Sequence, residues 1–71
     1  MQQVKIKSEY ITLGQFLKLT NCISSGGEVK FFLQEAAVLV NDQSEQRRGK
    51  KLYPNDIIKV EGHELFEVVQ S

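Results

Sequence analysis

Residues 24–51 read SSGGEVKFFLQEAAVLVNDQSEQRRGKK, and this stretch decides the fold. Ser25-x-x-Glu28 has the form of a capping box, in which a serine oxygen and a glutamate satisfy each other's backbone amides at a helix start. Val29, Phe32, Leu33, Ala36 and Ala37 fall within one arc of a helical wheel at about 100° per residue. The spacing predicts a helix over residues 26–36. Val38-Leu39-Val40 predicts a short strand, and Asn41-Asp42 predicts a turn. Gln43 to Arg48 can pair back as a polar, solvent-facing strand. The stretch ends on Arg47-Arg48-Gly49-Lys50-Lys51, four cations in five residues.

Two features of this stretch attract anions. A helix start with bare glycine amides does so through its unpaired N–H groups. Gly26-Gly27 also let a partner's backbone come close, and Lys30 follows near the same end. The basic run does so by charge, arginine with paired hydrogen bonds and lysine as a mobile point charge. The plainer readings are a flexible interhelical loop and a solvated charge run. Four cations together in a chain of zero net charge favour a polyanion contact. If both features share a face, they form one phosphate-binding surface.

Towards the N-terminus, Val4 and Ile6 alternate with Lys5 and Lys7, which predicts a half-buried strand. Thr12-x-x-Gln15 is a second capping box, and Leu13, Phe16, Leu17 and Thr20 follow at helical spacing. This gives a helix over 13–20, joined by Asn21 to Ser24 to the next one as a packed hairpin. Towards the C-terminus, Leu52-Tyr53 is a brief apolar step and Pro54-Asn55-Asp56 a turn. Ile57 to Val60 and Leu65 to Val69 predict strands around a Glu61-Gly62-His63 turn. The order predicts an α+β domain spanning 1–71, with a helical hairpin on one side of a small sheet. Leu17, Phe32 and Leu33 should bury together. Phe31 lies off the apolar arc. Such an aromatic can stack on an unpaired base, but packing against the N-terminal strand or C-terminal hairpin is favoured, because small domains spend their aromatics on the core.

Bulk properties bound the function. The 71 residues carry nine Lys and Arg and nine Asp and Glu, yet the signs are segregated. Residues 1–60 hold all nine cations against six acids, and the last eleven hold Glu61, Glu64 and Glu67 with no Lys or Arg. Local sign is therefore the better guide to partners. No apolar run approaches the roughly 18 residues of a membrane helix, and the N-terminus has no signal-peptide stretch, so a cytoplasmic protein is expected. Cys22 is the single cysteine, which excludes an intrachain disulfide framework and a cysteine-rich zinc site; a small buried residue between the helices is expected there. His63, the single histidine, reads as a surface residue in a turn. No phosphate-loop, dinucleotide-binding or serine-elbow motif is present, and no catalytic, metal or cofactor constellation is visible.

The motifs Thr12-Leu13-Gly14-Gln15-Phe16-Leu17, Ser25-Gly26-Gly27-Glu28-Val29-Lys30, Val38-Leu39-Val40-Asn41-Asp42, Arg47-Arg48-Gly49-Lys50-Lys51-Leu52 and Asn55-Asp56-Ile57-Ile58-Lys59-Val60 occur in one order. Over residues 8–69 the chain resembles the αL RNA-binding domain first described in the fourth protein of the small ribosomal subunit. It is similar in particular to stand-alone bacterial proteins of the YaaA/YbcJ type. The resemblance implies a helical hairpin on a small bent antiparallel sheet, with RNA lying against the N-terminal half of the second helix and the neighbouring loop. Carried over by position, it implies RNA contacts at Ser25, Gly26, Gly27, Lys30, Arg47, Arg48, Lys50 and Lys51. The chain departs from the family at Thr12, where many members have arginine, and at Gly27-Glu28, where many have paired basic residues. Asn55 replaces the usual glycine of a Gly-Asp turn, a swap asparagine tolerates at positive φ. The expectation is a monomeric, non-enzymatic module without cofactor or membrane attachment. It would bind structured RNA, ribosomal RNA foremost, in ribosome assembly or translation. The alternatives are a protein-interaction adaptor using Phe31 and the acidic C-terminal hairpin, a DNA-binding accessory protein using the basic face, and, least supported, an enzyme.

Overall fold

Side-chain alternation settles the first strand. The computed structural model describes residues 1–71, and in it Val4 and Ile6 of β1 (Gln2–Ile6) are buried while their neighbours are exposed. The chain continues as β2 (Ile11–Thr12), α1 (Leu13–Leu19), a 3-10 turn (Gly26–Glu28), α2 (Val29–Glu35), β3 (Val38–Val40), β4 (Gln43–Ser44), β5 (Lys51–Leu52), β6 (Ile57–Val60) and β7 (Leu65–Gln70). The main sheet has the order β1-β7-β6-β3-β4, and β2 pairs with β5 as a separate ribbon. The expected α+β architecture is present. The sheet is mixed rather than wholly antiparallel, because β1 joins β7 in parallel with Val4 opposite Val68. Strands from opposite ends of the chain meet there, so no tight turn has to join them.

The turns follow their residue chemistry. Asn41 and Asp42, at φ 51° and 69°, make the two-residue loop between β3 and β4. Positive φ at both positions suits the right-handed twist of a hairpin and is tolerated by Asn and Asp. In the 53–56 turn, Pro54 presets φ, Asn55 takes φ 82°, and the Asp56 amide donates to the Tyr53 carbonyl at 3.0 Å. Asparagine thus holds the position at which glycine was the family expectation. The predicted strand from Gln43 to Arg48 shortens to Gln43–Ser44; the Glu45 amide still donates to the Val38 carbonyl at 2.9 Å, and the following residues leave the ladder.

The first helix begins as predicted. The Gln15 amide donates to Thr12 Oγ1 at 3.3 Å, and the Thr12 amide donates to Gln15 Oε1 at 3.1 Å. Leu13, Phe16 and Leu17 are buried beneath it, and the Phe16 ring meets Phe66 of β7 edge-on at 5.4 Å between centroids. The second helix starts differently. Ser25 makes no side-chain cap, the first turn is 3-10, and Glu28 Oε2 takes the Ser24 amide at 3.5 Å instead. Two glycines in succession carry no Cβ to favour the α conformation, so regular helix begins only at Val29.

One cluster of buried side chains underlies both helices and the sheet, with no buried polar residue. Leu17 and Leu33 lie inside it as expected. Phe32 packs against the cluster only half-buried, and so does Cys22, whose sulfur accepts a hydrogen bond from Thr20 Oγ1. Ile23, read from sequence as connection, is buried. Phe31 overturns the packing expectation: it is 68% exposed, because α2 is too short and too peripheral for the strands to reach its outer side.

Candidate nucleic-acid interface

The basic loop is fixed to the start of α1. The Leu13 amide donates to the Lys50 carbonyl at 2.8 Å and the Gly14 amide to the Arg48 carbonyl at 2.9 Å. With the capping box, these bonds satisfy the first-turn amides that a helix otherwise leaves unpaired. They also hold a run of like charges in one place, which a free loop would not. The Lys50 amide closes a turn on the Arg47 carbonyl at 3.2 Å. A Cβ at Gly14 would lie 3.6 Å from Arg48 Cβ and 3.7 Å from Val29 Cγ1, so the loop, α1 and α2 converge at this glycine.

Alternate side chains of residues 45–48 line different grooves. Gln46 and Arg48 face α2, where they line a groove of about 440 Å³ with Lys30, Gln34 and Leu33. Glu45 and Arg47 face the other way. They line a second groove of about 280 Å³, shared with Lys50, Lys51, Tyr53 and Asp56. The structure therefore unites Lys30 with Arg48, and Arg47 with Lys50 and Lys51, and the loop forms the ridge between the two groups. Ser25, Gly26 and Gly27 line neither groove; they are exposed on the turn that leads into α2.

Charge is distributed unevenly over this region. Arg47 holds Glu45 with two bonds, Nε to Oε2 at 2.9 Å and a terminal nitrogen to Oε1 at 3.1 Å. The Arg47 side-chain hydrogen bond is the main reason the Glu45 carboxyl titrates at about 2. The Arg47 guanidinium is held above its ordinary value by the same bond. Asp56 is also occupied: it accepts from the Tyr53 amide at 2.8 Å and from Asn41 Nδ2 at 3.1 Å. No ion pair engages Arg48, Lys30, Lys50 or Lys51. Sequence reading had given Arg47 and Arg48 equal weight. In the fold Arg48 is the free arginine.

The turn before α2 needs a correction too. A seven-residue helix entered through a 3-10 turn makes a weak dipole, so charge from the cations outweighs it. The Gly26 and Gly27 amides nevertheless donate to no group within the protein. A Cβ at Gly26 or Gly49 would meet nothing within 4 Å, and neither has a positive φ. The fold itself does not require glycine at these two places.

With this geometry, the comparison with known sequences is decisive. Residues 4–69 match the S4 domain family. The chain belongs to that family. The S4 domain is an RNA-binding domain, and the two grooves flanking the basic ridge hold five of this chain's nine cations. The chain is also similar to the probable ribosome maturation protein RlbA of Bacillus subtilis (strain 168), at 54% identity over 66 residues, which cover 93% of each chain.

Sequence reading missed two residues in this region. Tyr10 and Tyr53 are far apart in the chain, but the antiparallel register of Ile11 with Leu52 sets them side by side at the end of the β2–β5 ribbon. The available signal was the apolar residue adjoining each tyrosine, Ile11 and Leu52. Both are buried, which turns the tyrosines outward.

Proposed function

We propose that this chain is a non-enzymatic RNA-binding module that recognises structured RNA, ribosomal RNA foremost, during ribosome maturation in the cytoplasm. It acts as a monomer, through phosphate and shape contacts. The observation that carries this reading is the shared groove of Lys30 and Arg48, two cations on separate elements with no acidic partner. The spare amides of Gly26 and Gly27, and the open space above Gly26 and Gly49, suit a phosphate backbone that approaches closely. The name of the Bacillus subtilis relative supports the ribosomal part of the reading.

Each cation that neutralises a phosphate releases a counterion, so affinity should fall with salt at a log–log slope of about −0.7 to −0.9 per contact. The test is the affinity of the protein for ribosomal RNA fragments at several salt concentrations, with circular dichroism as the folding control. Arg48→Ala combined with Lys30→Ala should weaken binding across sequences and flatten the slope by about one to two units. A folded double variant that keeps the parent's affinity and slope overturns the assignment. One observation favours a second reading, a protein contact: Phe31 is exposed in a shallow depression between Glu28 and Glu35, a setting that repels phosphate.

A further inference from the structure

Tyr10 and Tyr53 form an exposed aromatic pair, with ring centroids 5.9 Å apart and planes inclined at 49°. They are 37% and 43% exposed, unusual for large aromatics in a chain this small. Lys51 lies opposite Thr12, two residues from Tyr10 on the same face of the ribbon, and its Nζ sits 4.8 Å from the Tyr10 ring centroid. That contact holds the lysine against Tyr10. Tyr53 also lines the groove that contains Arg47, Lys50 and Lys51. The two carboxylates of that groove are occupied, Glu45 by Arg47 and Asp56 by a backbone amide and Asn41. Aromatic faces thus stand next to lysines without acidic partners, at one end of the ridge.

We propose that Tyr10 and Tyr53 form a stacking platform for an unpaired base of the bound RNA, with Lys50 and Lys51 holding the flanking phosphates. The proposal rests on the RNA-binding reading and adds to it a preference for RNA that presents a flipped or looped-out base beside a helix. A base has a π-face whatever its identity, so the platform supplies affinity for unpaired nucleotides without selecting a sequence. Phe31, for which the sequence favoured packing over base stacking, is the weaker candidate although it is exposed. Its neighbours Glu28 and Glu35 are both acidic, whereas the groove beside Tyr53 holds three cations against two carboxylates, one of them paired with Arg47.

The composition supplies its own probe. The chain has two tyrosines and no tryptophan, so its tyrosine emission comes from this pair alone. The protein is titrated with ribosomal RNA fragments that contain unpaired loops, following tyrosine emission and affinity together. Emission should be quenched as RNA binds. Tyr53→Ala should weaken binding roughly 5- to 150-fold, the range for one lost base stack. The salt slope should not change, since no phosphate contact is lost, and Tyr53→Phe should restore affinity. If RNA binds with unquenched emission and Tyr53→Ala keeps the parent's affinity, the platform is wrong, the RNA reading stands, and the pair is left for a protein contact. If the parent protein binds none of the fragments at low salt, the RNA reading and the platform fall together.

Discussion

Glu45→Gln should lower stability and raise RNA affinity at the same time. The side chains of the pair differ in exposure, 11% for Glu45 and 76% for Arg47, so the carboxylate lies beneath a guanidinium that stands in water. Moving the Glu45 carboxyl from 4.5 to about 2 corresponds to a ceiling of about 3 kcal/mol, at about 1.4 kcal/mol per pH unit. Solvent around the arginine screens most of that, and exposed pairs contribute about 0.2–1 kcal/mol. Glutamine keeps an oxygen for the Arg47 amide, so the loss should be about 0.5–1 kcal/mol. For a chain this size that is a fall of roughly 2–8 °C in Tm. The stabilisation is fully present above pH 4.5, the unfolded value, and is lost as pH falls through about 2. In the parent, a phosphate must compete with Glu45 for Arg47. In the variant Arg47 is free, so the salt slope should steepen by about 0.7–0.9. Thermal melts and RNA titrations at several salt concentrations check both effects. A folded Glu45→Gln protein with unchanged or weaker RNA binding would refute the competition. It would then follow that the carboxylate positions Arg47, or that Arg47 never reaches RNA.

Two further outcomes test the scaffold. Phe16→Ala removes a fully buried ring that also meets Phe66, and should cost about 3–5 kcal/mol, enough to unfold much of the population; the half-buried Phe32 should cost less when truncated, which chemical denaturation of both variants will show. Thr12→Ala removes the oxygen that caps α1 and should cost about 0.5–2 kcal/mol by the same measurement.

Much of the fold was legible because its signals are local. The Thr12 capping box, the Val4 and Ile6 alternation, the Asn41-Asp42 hairpin and the tolerance of Asn55 for positive φ each depend on a few neighbouring residues. Part of what failed was not local. The parallel pairing of β1 with β7 joins the two ends of the chain. The exposure of Phe31 depends on how far the strands reach around α2. The Ser25 and Glu28 box is the instructive miss: spacing alone satisfied the motif, but the intervening glycines favoured a 3-10 turn, and Glu28 reached one residue further back.

The candidate site shows the same division at higher stakes. Sequence located the basic run, and the resemblance pointed to the second helix start, but neither could say how the cations divide between sides. Alternate residues of this segment line different grooves, so Arg47 and Arg48 are separated. Which of them stays free depends on Glu45, two residues before Arg47 and therefore on its side. That alternation belongs to the folded loop, and the basic run alone does not reveal it. The backbone bonds from Leu13 and Gly14 to the carbonyls of Lys50 and Arg48 then decide which flank faces Lys30. The tyrosine pair follows from the same tether. Anchoring the loop to the start of α1 pulls β5 against β2, and the buried Ile11 and Leu52 leave Tyr10 and Tyr53 no direction but outward. The arrangement of charge and aromatic surface is thus a consequence of how one loop is fastened. A change that loosens these main-chain bonds should disturb both grooves together, whereas Tyr53→Ala should leave the cations where they are.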